Sequence, residues 1–363
     1  DIALNRLAQS VEKASAEQDP GNATISSATD SSAKSAGKRI RDALRSLLYF
    51  PDAELGWYPF ALAEGRRIIG EWRPDVIFVS AGPQTGLMVA SKLSKEFGIP
   101  WVAELRDLWV DNHRYQHGAF RRSLESKLEL STLGSAAGFV TVSEPLAETL
   151  RAKYPQKTEV VYNGFDPDDY AREPGPAKSG KVRIVYTGWV YREHDAGLFF
   201  QALALLGDEA RSVVAEFYRS DESRLRALAK RYGVEDSLVL KPEVSFQESQ
   251  ALQRGADVLL YFSWNDPTAD GIFSGKLMQY FGARRPILAV GPADNAPAEV
   301  VRTRELGFAS ASAPQIAKRI GEWIDEKRAH GEIADTPAGK ADEFSRENQT
   351  KKLEAFLREV TAR

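Results

Sequence analysis

The residues with the most evident chemistry form a triplet, Ser274–Gly275–Lys276, which stands ahead of a segment with the apolar spacing of a helix. A glycine lets a ligand approach the backbone closely, and the free N–H groups of a first helical turn point towards an anion. Lys276 adds a positive charge at the same place. The triplet therefore predicts a phosphate site at a helix start. The alternative is an ordinary N-terminus with a solvated lysine.

Gly188 and Arg192 belong to a second polar loop, which directly follows a predicted strand. Gly188 allows the chain to turn closely, and Arg192 precedes a helix that we predict to begin near His194. An arginine in this position can bind a diphosphate through two parallel hydrogen bonds. The alternative is a surface arginine that pairs with Glu193 or Asp195.

A third loop contains Arg106 and Asp107, between the predicted strand 101–105 and Trp109. Such a polar pair is costly to bury unless it is paired or functional. One interpretation is a salt bridge that fixes the loop, and the other places Asp107 against the hydroxyl groups of a polar substrate. The turn "NGFD" at 163–166 is interpreted as structural.

The elements that must position these loops are strands that alternate with helices of ten to fifteen residues, a pattern typical of parallel sheets covered on both faces. Ligands of such sheets bind at the carboxyl ends of the strands, where all three loops are expected. The predicted strands fall into two series: 75–80, 101–105, 138–143 and 158–163, then 182–188, 213–218, 236–241, 256–262 and 285–291.

A Pro/Gly/Lys stretch at 172–181 separates the two series and is interpreted as a hinge. The fold class is therefore α/β, with two doubly wound, Rossmann-like domains that face each other across a cleft. We predict an N-terminal domain at 1–172 and a C-terminal domain at 173–340. Residues 19–37 are small and polar and are expected to be mobile. Few strands precede Asp75, so we expect the first strands of the N-terminal domain to lie upstream of the chain.

Composition excludes several classes of function. The 363 residues carry a net charge of −3, which argues against a nucleic-acid-binding protein. The chain has no cysteine, so disulfides, thiolate catalysis and zinc–thiolate sites are excluded, and the composition suits a reducing compartment. No run reaches the ~18 apolar residues of a membrane span, and the first residues do not resemble a signal peptide.

Known catalytic motifs and metal sites find little support. His113 and His117 could share a helix face as metal ligands, but no third ligand has the spacing of a metal site, and no metal is expected. The Gly-x-Ser-x-Gly elbow of hydrolases is missing, and no Gly-x-Gly-x-x-Gly fingerprint follows a strand. Hydrolase and dehydrogenase functions are therefore disfavoured.

A basic amphipathic segment at 38–50 places leucines and an isoleucine on one helix face among arginines and lysines, with Trp57, Tyr58 and Phe60 shortly after it. A helix of this kind can lie on an anionic membrane, which makes peripheral membrane contact one hypothesis. The alternative is a helix that packs on its own domain.

In this order, the motifs resemble those of the retaining glycosyltransferases of family 4, which have the GT-B fold. The resemblance extends from about Phe50 to Ala362. It implies a cytoplasmic enzyme, with or without peripheral attachment to the inner face of the membrane. The motifs are "FPDAELGWYPFALAEGRRII", "DVIFVSAGPQTG", "WVAELRDLW", "VTVSEPLAETL", "VVYNGFDPDDY", "VYTGWVYREHDAGLFFQAL" and "GIFSGKLMQYFGARRPILAVG".

The resemblance implies that the C-terminal domain binds a nucleotide-diphosphate sugar, with UDP and GDP both open. The sugar would pass, with retention, to a glycan or lipid-linked acceptor in the synthesis of a surface polysaccharide or glycoconjugate. Cations would replace a metal at the diphosphate, so no cofactor is expected. A C-terminal helix at 341–363 would cross back to the N-terminal domain.

The resemblance also assigns roles to residues of the three loops. It places Arg192 and Lys276 on the donor diphosphate and in catalysis, and Arg106 and Asp107 on the acceptor or sugar side, with Asp107 also catalytic. Gly188, Ser274, Gly275 and Gln279 complete the expected donor site.

One position departs from the family pattern of two glutamates eight positions apart. The second glutamate, which usually binds the ribose hydroxyls, aligns with Gln279, and the first falls near Asp270 or Gly271 without clean spacing. Gln279 can hydrogen-bond a ribose, but without charge. We therefore expect weaker ribose binding or a differently placed nucleotide.

Two other functions fit the same architecture. A nucleotide-sugar epimerase would release free nucleotide without an acceptor, but it needs acid–base groups in the cleft, and the sequence shows no evident pair. A non-enzymatic, two-domain sugar-binding protein of the periplasmic kind has a similar cleft but needs no diphosphate site. Nucleotide affinity separates the binding protein from the enzymes, and product analysis separates the two enzymes.

Overall fold

The computed structural model describes residues 49–112, 115, 117–170, 180–265, 273–337 and 339–362. Several sequence predictions therefore lie outside the described residues: the mobile segment 19–37, most of the amphipathic segment 38–50, His113, most of the linker 172–181, and Asp270 and Gly271. The chain divides into two units at Ala53 and Glu54, and every helix and strand named below belongs to the second unit.

The first half of this unit is built around a parallel sheet of four strands in the order β1-β2-β3-β4. Helices follow or precede the strands along the chain, as expected for a parallel sheet. The elements are α1 (Tyr58–Glu71), β1 (Ile77–Ser80), α2 (Thr85–Phe97), β2 (Trp101–Leu105), α3 (Ala119–Leu133), β3 (Gly138–Thr141), α4 (Glu144–Lys153) and β4 (Thr158–Val160).

The second half is built around a parallel sheet of six strands in the order β10-β9-β8-β5-β6-β7. The elements are β5 (Val182–Thr187), α5 (Ala196–Leu205), β6 (Val213–Tyr218), α6 (Glu222–Tyr232), β7 (Leu238–Lys241), α7 (Phe246–Arg254), β8 (Val258–Phe262), α8 (Gly275–Ala283), β9 (Ile287–Val290), α9 (Ala296–Thr303), β10 (Gly307–Ser310), α10 (Ala313–His330) and α11 (Arg346–Thr361).

Successive residues of the central strands face opposite sides of their sheet, and both sides are covered. On β5, Ile184 and Tyr186 pack with α5, whereas Val185 between them packs with Leu277 of α8. Burial on both faces explains why these strands are nearly continuous apolar runs. The predicted class is confirmed: α/β, with two parallel, doubly wound sheets.

The strand order of the second sheet reverses at β5. From β5 the chain moves outwards through β6 and β7, and it then returns to pair β8 with the other edge of β5. Helices on either side of such a reversal diverge, which opens a crevice at the carboxyl ends of the two strands. The loops that follow β5 and β8 therefore lie where a ligand is expected.

Helix α8 begins at Gly275, and Ser274 is its N-cap, because the Ser274 side chain accepts a hydrogen bond from the backbone N–H of Leu277. The apolar residues Leu277, Met278, Tyr280 and Phe281 are all buried against the second sheet. Packing thus holds the body of the helix, and its first turn lies beside β5.

Helix α11 returns to the first sheet, where Phe356 and Val360 pack with Val102 and Val140. At the first residue of this helix, the backbone N–H of Arg346 donates to the carbonyl of Phe165 at 2.8 Å. The division into domains at 1–172, 173–340 and 341–363 stays a prediction.

The strand predictions agree with the structure, and the observed strands are shorter by up to three residues. Strand β10 was not predicted, because "GFAS" has few β-branched residues. In the part of the chain that the structure describes, no helix is both long and apolar enough to cross a membrane.

Candidate functional site

The loops after β5 and β8 are joined at the carboxyl ends of these strands. The backbone N–H of Asn265 donates to the carbonyl of Glu193 at 3.3 Å, and His194 pairs with Trp264 in an isolated antiparallel bridge. These contacts fix the two loops against each other. They form the edge of the crevice that the sheet topology opens.

Gly188 lies at the start of the first loop, with a φ of +117°, a conformation that side chains other than glycine rarely adopt. Its N–H donates to the carbonyl of Tyr218 at 2.9 Å. A Cβ at this position would lie 3.1 Å from the Nζ atom of Lys276. Glycine here therefore provides both the backbone turn and the space that the lysine occupies.

Lys276 reaches from the first turn of α8 towards β5, where its Nζ lies 3.6 Å from the centre of the Tyr186 ring. The side chain is half-buried and makes no ion pair or hydrogen bond with any described residue. Burial lowers the pKa of Lys276 to about 7. An anion that binds beside Lys276 would stabilise the protonated form of the lysine and would therefore raise its pKa again.

His194 is a buried neighbour of this lysine that the sequence did not single out. Burial, together with the positive charges of Lys276 and Arg224, lowers the pKa of His194 to about 4. Its Nδ1 accepts a hydrogen bond from the backbone N–H of Tyr191 at 3.3 Å, which assigns the proton of the neutral ring to Nε2. His194 is therefore a neutral residue near pH 7, in contact with the loop that it helps to hold.

Some polar groups at the start of α8 stabilise the helix, and others are open to a ligand. The Ser274 hydroxyl serves as the cap, whereas the N–H groups of Gly275 and Lys276, in the first turn, have no partner within the helix. Gly275 is exposed, and a Cβ built on it would meet nothing within 4 Å. The backbone here is open to a ligand.

Gln279 lies one turn further along α8 and is half-buried. Its Oε1 accepts a hydrogen bond from Nε2 of Gln253 at 3.2 Å, and the same nitrogen donates to the Thr187 hydroxyl at 2.9 Å. Gln253 is fully buried, and its own Oε1 accepts from the Tyr170 hydroxyl at 3.5 Å. This network connects α8 to α7, β5 and the turn that contains Tyr170.

A pocket of about 410 Å³ lies between the first-sheet half and α7 and α8. The side chains that line it are mostly polar, which suits a hydroxyl-rich or charged ligand. Its walls are formed by Arg106, Asn163, Gly164, Phe165, Asp166, Asp169, Tyr170, Phe246, Gln250, Gly275, Met278, Gln279 and Arg346.

Arg106 and Asp107 do not form a salt bridge with each other. Arg106 instead approaches the carboxylate of Glu104 at 3.8 Å and lines the pocket. Asp107 is exposed and is not among the residues that line this pocket. The physical reason is that both side chains leave the end of β2 towards solvent, so no burial forces them to pair.

Arg192 is exposed and forms no ion pair with Glu193 or Asp195, so the surface-pair interpretation is wrong. The carboxylate of Asp195 instead caps α5 by accepting from the N–H of Leu198. Helix α5 therefore begins at Ala196, two residues after His194 and close to the predicted start.

Several pocket residues were missed from the sequence. Asn163 belongs to the turn interpreted as structural, yet it lines the pocket, and its buried Oδ1 has no hydrogen-bond partner among the described residues. Phe246 is exposed in the pocket wall. Gln250 and Gln253, on the inner face of α7, could have been identified from the sequence. Polar side chains are costly to bury, so their presence on a buried face indicates a hydrogen-bond network or a ligand.

No group of three potential metal ligands occurs in the described part of the chain. His117 precedes α3, which begins at Ala119, so it does not share a helix face with any residue of that helix.

Part of the chain matches a known protein family. Residues 23–169 match the model described as Glycosyltransferase Family 4. A comparison with curated protein sequences found no match.

Solved structures with the same fold cover most of the chain. HepE from Anabaena, in complex with UDP, is 15% identical with a TM-score of 0.60, over 82% of each chain. A glycosyltransferase from Rickettsia africae is 14% identical with a TM-score of 0.60, over 83% of this chain and 81% of that one. Sucrose-phosphate synthase from Thermosynechococcus elongatus is 16% identical with a TM-score of 0.57, over 85% and 79%. Residues 23–169, less than half of the chain, thus match glycosyltransferase family 4, and the solved structures show that the chain has the GT-B fold.

Proposed function

We propose that the chain transfers a sugar, with retention, from a nucleotide-diphosphate donor to a glycan or lipid-linked acceptor, without a metal ion. The observation that supports this most strongly is Lys276, a half-buried cation without an anionic partner among the described residues, at the point where the strand order reverses. Burying a charge is costly unless a partner offsets it. A diphosphate would be that partner.

The donor would be held by the edge of the crevice. Its diphosphate would contact Lys276, Arg192 and the free N–H groups at Gly275, and Gly188 would leave room for it. Its ribose would contact Gln279 one helical turn away. UDP is the first nucleotide to test, because HepE was solved with UDP and with UDP-glucose, and GDP is the second.

In the transfer step, the bond between the anomeric carbon and the diphosphate oxygen breaks, and the bond to the acceptor oxygen forms on the same face of the sugar. The acceptor proton passes to the leaving phosphate. Negative charge develops on the diphosphate as this bond breaks, and the fixed charges of Lys276 and Arg192 stabilise it more in the transition state than in the ground state.

The acceptor would approach from the first-sheet half, where Arg106 lines the pocket and Asp107 lies exposed after the same strand. We propose that these two residues contact acceptor or sugar hydroxyls. The pathway would be the synthesis of a surface polysaccharide or glycoconjugate in the cytoplasm. The same proposal includes peripheral membrane contact through the basic segment 38–50.

Product analysis tests this function. The protein would be incubated with UDP- and GDP-sugars in EDTA, with and without extracted lipid-linked glycans, and the products would be analysed by mass spectrometry and NMR. The proposal expects a glycosylated acceptor whose new linkage keeps the anomeric configuration of the donor. An inverted linkage would refute retention. Nucleotide release without a glycosylated acceptor would favour an epimerase or hydrolase, and a requirement for metal would refute the metal-free mechanism.

A further inference from the structure

One end of the Gln279 amide is already hydrogen-bonded within the protein. Its Oε1 accepts from Gln253, whereas its Nε2, which carries two donors and no acceptor, has no partner among the described residues, and Gln279 lines the pocket. A glutamate at this position has no hydrogen to donate. A glutamine that presents its Nε2 therefore requires a hydrogen-bond acceptor on the ligand, whereas a glutamate requires a hydrogen-bond donor.

Gln253 is itself held on every side. One of its Nε2 hydrogens is donated to the Thr187 hydroxyl and the other to Gln279, while its Oε1 accepts from Tyr170. The side chain is fully buried. Turning this amide alone would place the carbonyl oxygens of Gln253 and Gln279 against each other, and the Thr187 and Tyr170 hydroxyls, which can each donate or accept, would have to reverse.

We propose that Gln253 is a positioning residue that fixes Gln279 as a hydrogen-bond donor towards the ligand, so the ligand must present an acceptor there. This inference rests on the proposed function in naming the ligand group, a hydroxyl oxygen of the nucleotide ribose. It does not require a negatively charged residue at position 279. Compared with a site that has a glutamate at this position, the site differs in the direction of the hydrogen bond to the ligand as well as in charge.

Gln253→Glu is the sharpest variant, because a carboxylate at this position can only accept. Thr187 can reverse and donate to it, and Tyr170 can still donate, but Gln279 must turn its Nε2 towards the carboxylate. The Gln279 carbonyl would then face the pocket. Gln247→Glu, at an exposed position of the same helix, adds the same charge and serves as the matched control.

The first measurement needs no nucleotide. Nitrogen-15 NMR of the wild type would follow the side-chain NH2 signals of Gln279, assigned by their loss in Gln279→Glu. The proposal expects these protons to exchange rapidly with water in the wild type and in Gln247→Glu, and to become protected in Gln253→Glu. Protected Gln279 protons in the wild type would overturn the proposal, even if Gln253→Glu does not fold.

The second measurement compares UDP with its 2′-fluoro and 3′-fluoro analogues, in which fluorine keeps an acceptor but removes the donor. The wild type and Gln247→Glu should bind the analogue altered at the contacting hydroxyl within about threefold of UDP. Gln253→Glu and Gln279→Glu should each lose about fivefold or more for the same analogue, relative to their own UDP affinity. Equal ratios in all proteins would overturn the positioning role, whereas failure of the wild type to bind UDP would refute the donor assignment instead.

Discussion

The Nζ atom of Lys276 lies 3.6 Å from the centre of the Tyr186 ring, so the first turn of α8 contacts the end of β5 through a cation and an aromatic face. A cation over such a ring gains on the order of 1 kcal/mol. That gain does not offset the loss of hydration, because the pKa of Lys276 stays lowered to about 7. The positive charge of Lys276 therefore destabilises the ligand-free protein.

We expect Lys276→Met to raise the stability of the ligand-free protein by about 1–3 kcal/mol at pH 7. The folded-state pKa is lowered below the unfolded value of 10.5, so the cost of the charge is fully present below about pH 7 and disappears as the pH rises towards 10.5. Urea unfolding of both proteins at pH 6, 7 and 9 measures this. The gap should narrow at pH 9, and a wild type more stable than the variant at pH 6 would contradict the prediction.

Nucleotide affinity should depend on the same pKa. A diphosphate binds the protonated lysine, so the affinity for UDP should fall as the pH rises above about 7, and binding at pH 8 should take up as much as one proton. Calorimetry in buffers of different ionisation enthalpy measures the uptake. Lys276→Arg keeps its charge at every pH used and should show no uptake from this position. Equal uptake in both proteins would place the titrating group elsewhere.

Two glycines offer a matched pair of substitutions. Gly188→Ala places a Cβ 3.1 Å from Lys276 Nζ at a φ of +117°, so we expect a loss of stability of about 1–2 kcal/mol together with weaker UDP binding. Gly275→Ala meets nothing within 4 Å and should not lower the melting temperature. It should still weaken UDP binding severalfold if the ligand approaches this backbone. Undiminished binding in Gly275→Ala would place the diphosphate elsewhere.

The buried Oδ1 atom of Asn163 has no hydrogen-bond partner among the described residues, which predicts that one substitution can raise stability and lower activity. A buried acceptor without a partner costs about 1–3 kcal/mol, so Asn163→Leu should raise the melting temperature and lower kcat/KM. Thr158→Val is the control, because the Thr158 hydroxyl is also buried and unpaired among the described residues but does not line the pocket. It should raise stability without changing activity. A loss of activity in both variants would indicate a general structural effect.

Local patterns predicted the fold well, because each element is specified by residues close in sequence. The strand "VRIVYT" and the capped helix after Ser274 could be placed from apolar runs and from Ser-Gly-Lys alone. The short strand "GFAS" could not, since its pairing with β9 and not its propensity makes it a strand.

The candidate site was only partly predictable, because its contacts join distant segments. The sequence placed Gly188 and Lys276 in one expected donor site, but it could not show that a Cβ at position 188 would lie 3.1 Å from the Nζ atom of Lys276. The amide of Gln279 could be identified as a departure, but its orientation depends on Gln253, on a different helix. The partner of Arg106 was also not predictable, because Arg106 approaches Glu104 and not its neighbour Asp107.

Calorimetric titration of UDP and GDP in EDTA, on the wild type and Lys276→Met, shows whether Lys276 binds the donor diphosphate. We expect metal-free binding of one nucleotide to the wild type and a loss of affinity of at least about tenfold in the variant, which should be folded and no less stable. Binding of neither nucleotide to the folded wild type, or equal binding to both proteins, would contradict the assignment of Lys276 to the donor diphosphate.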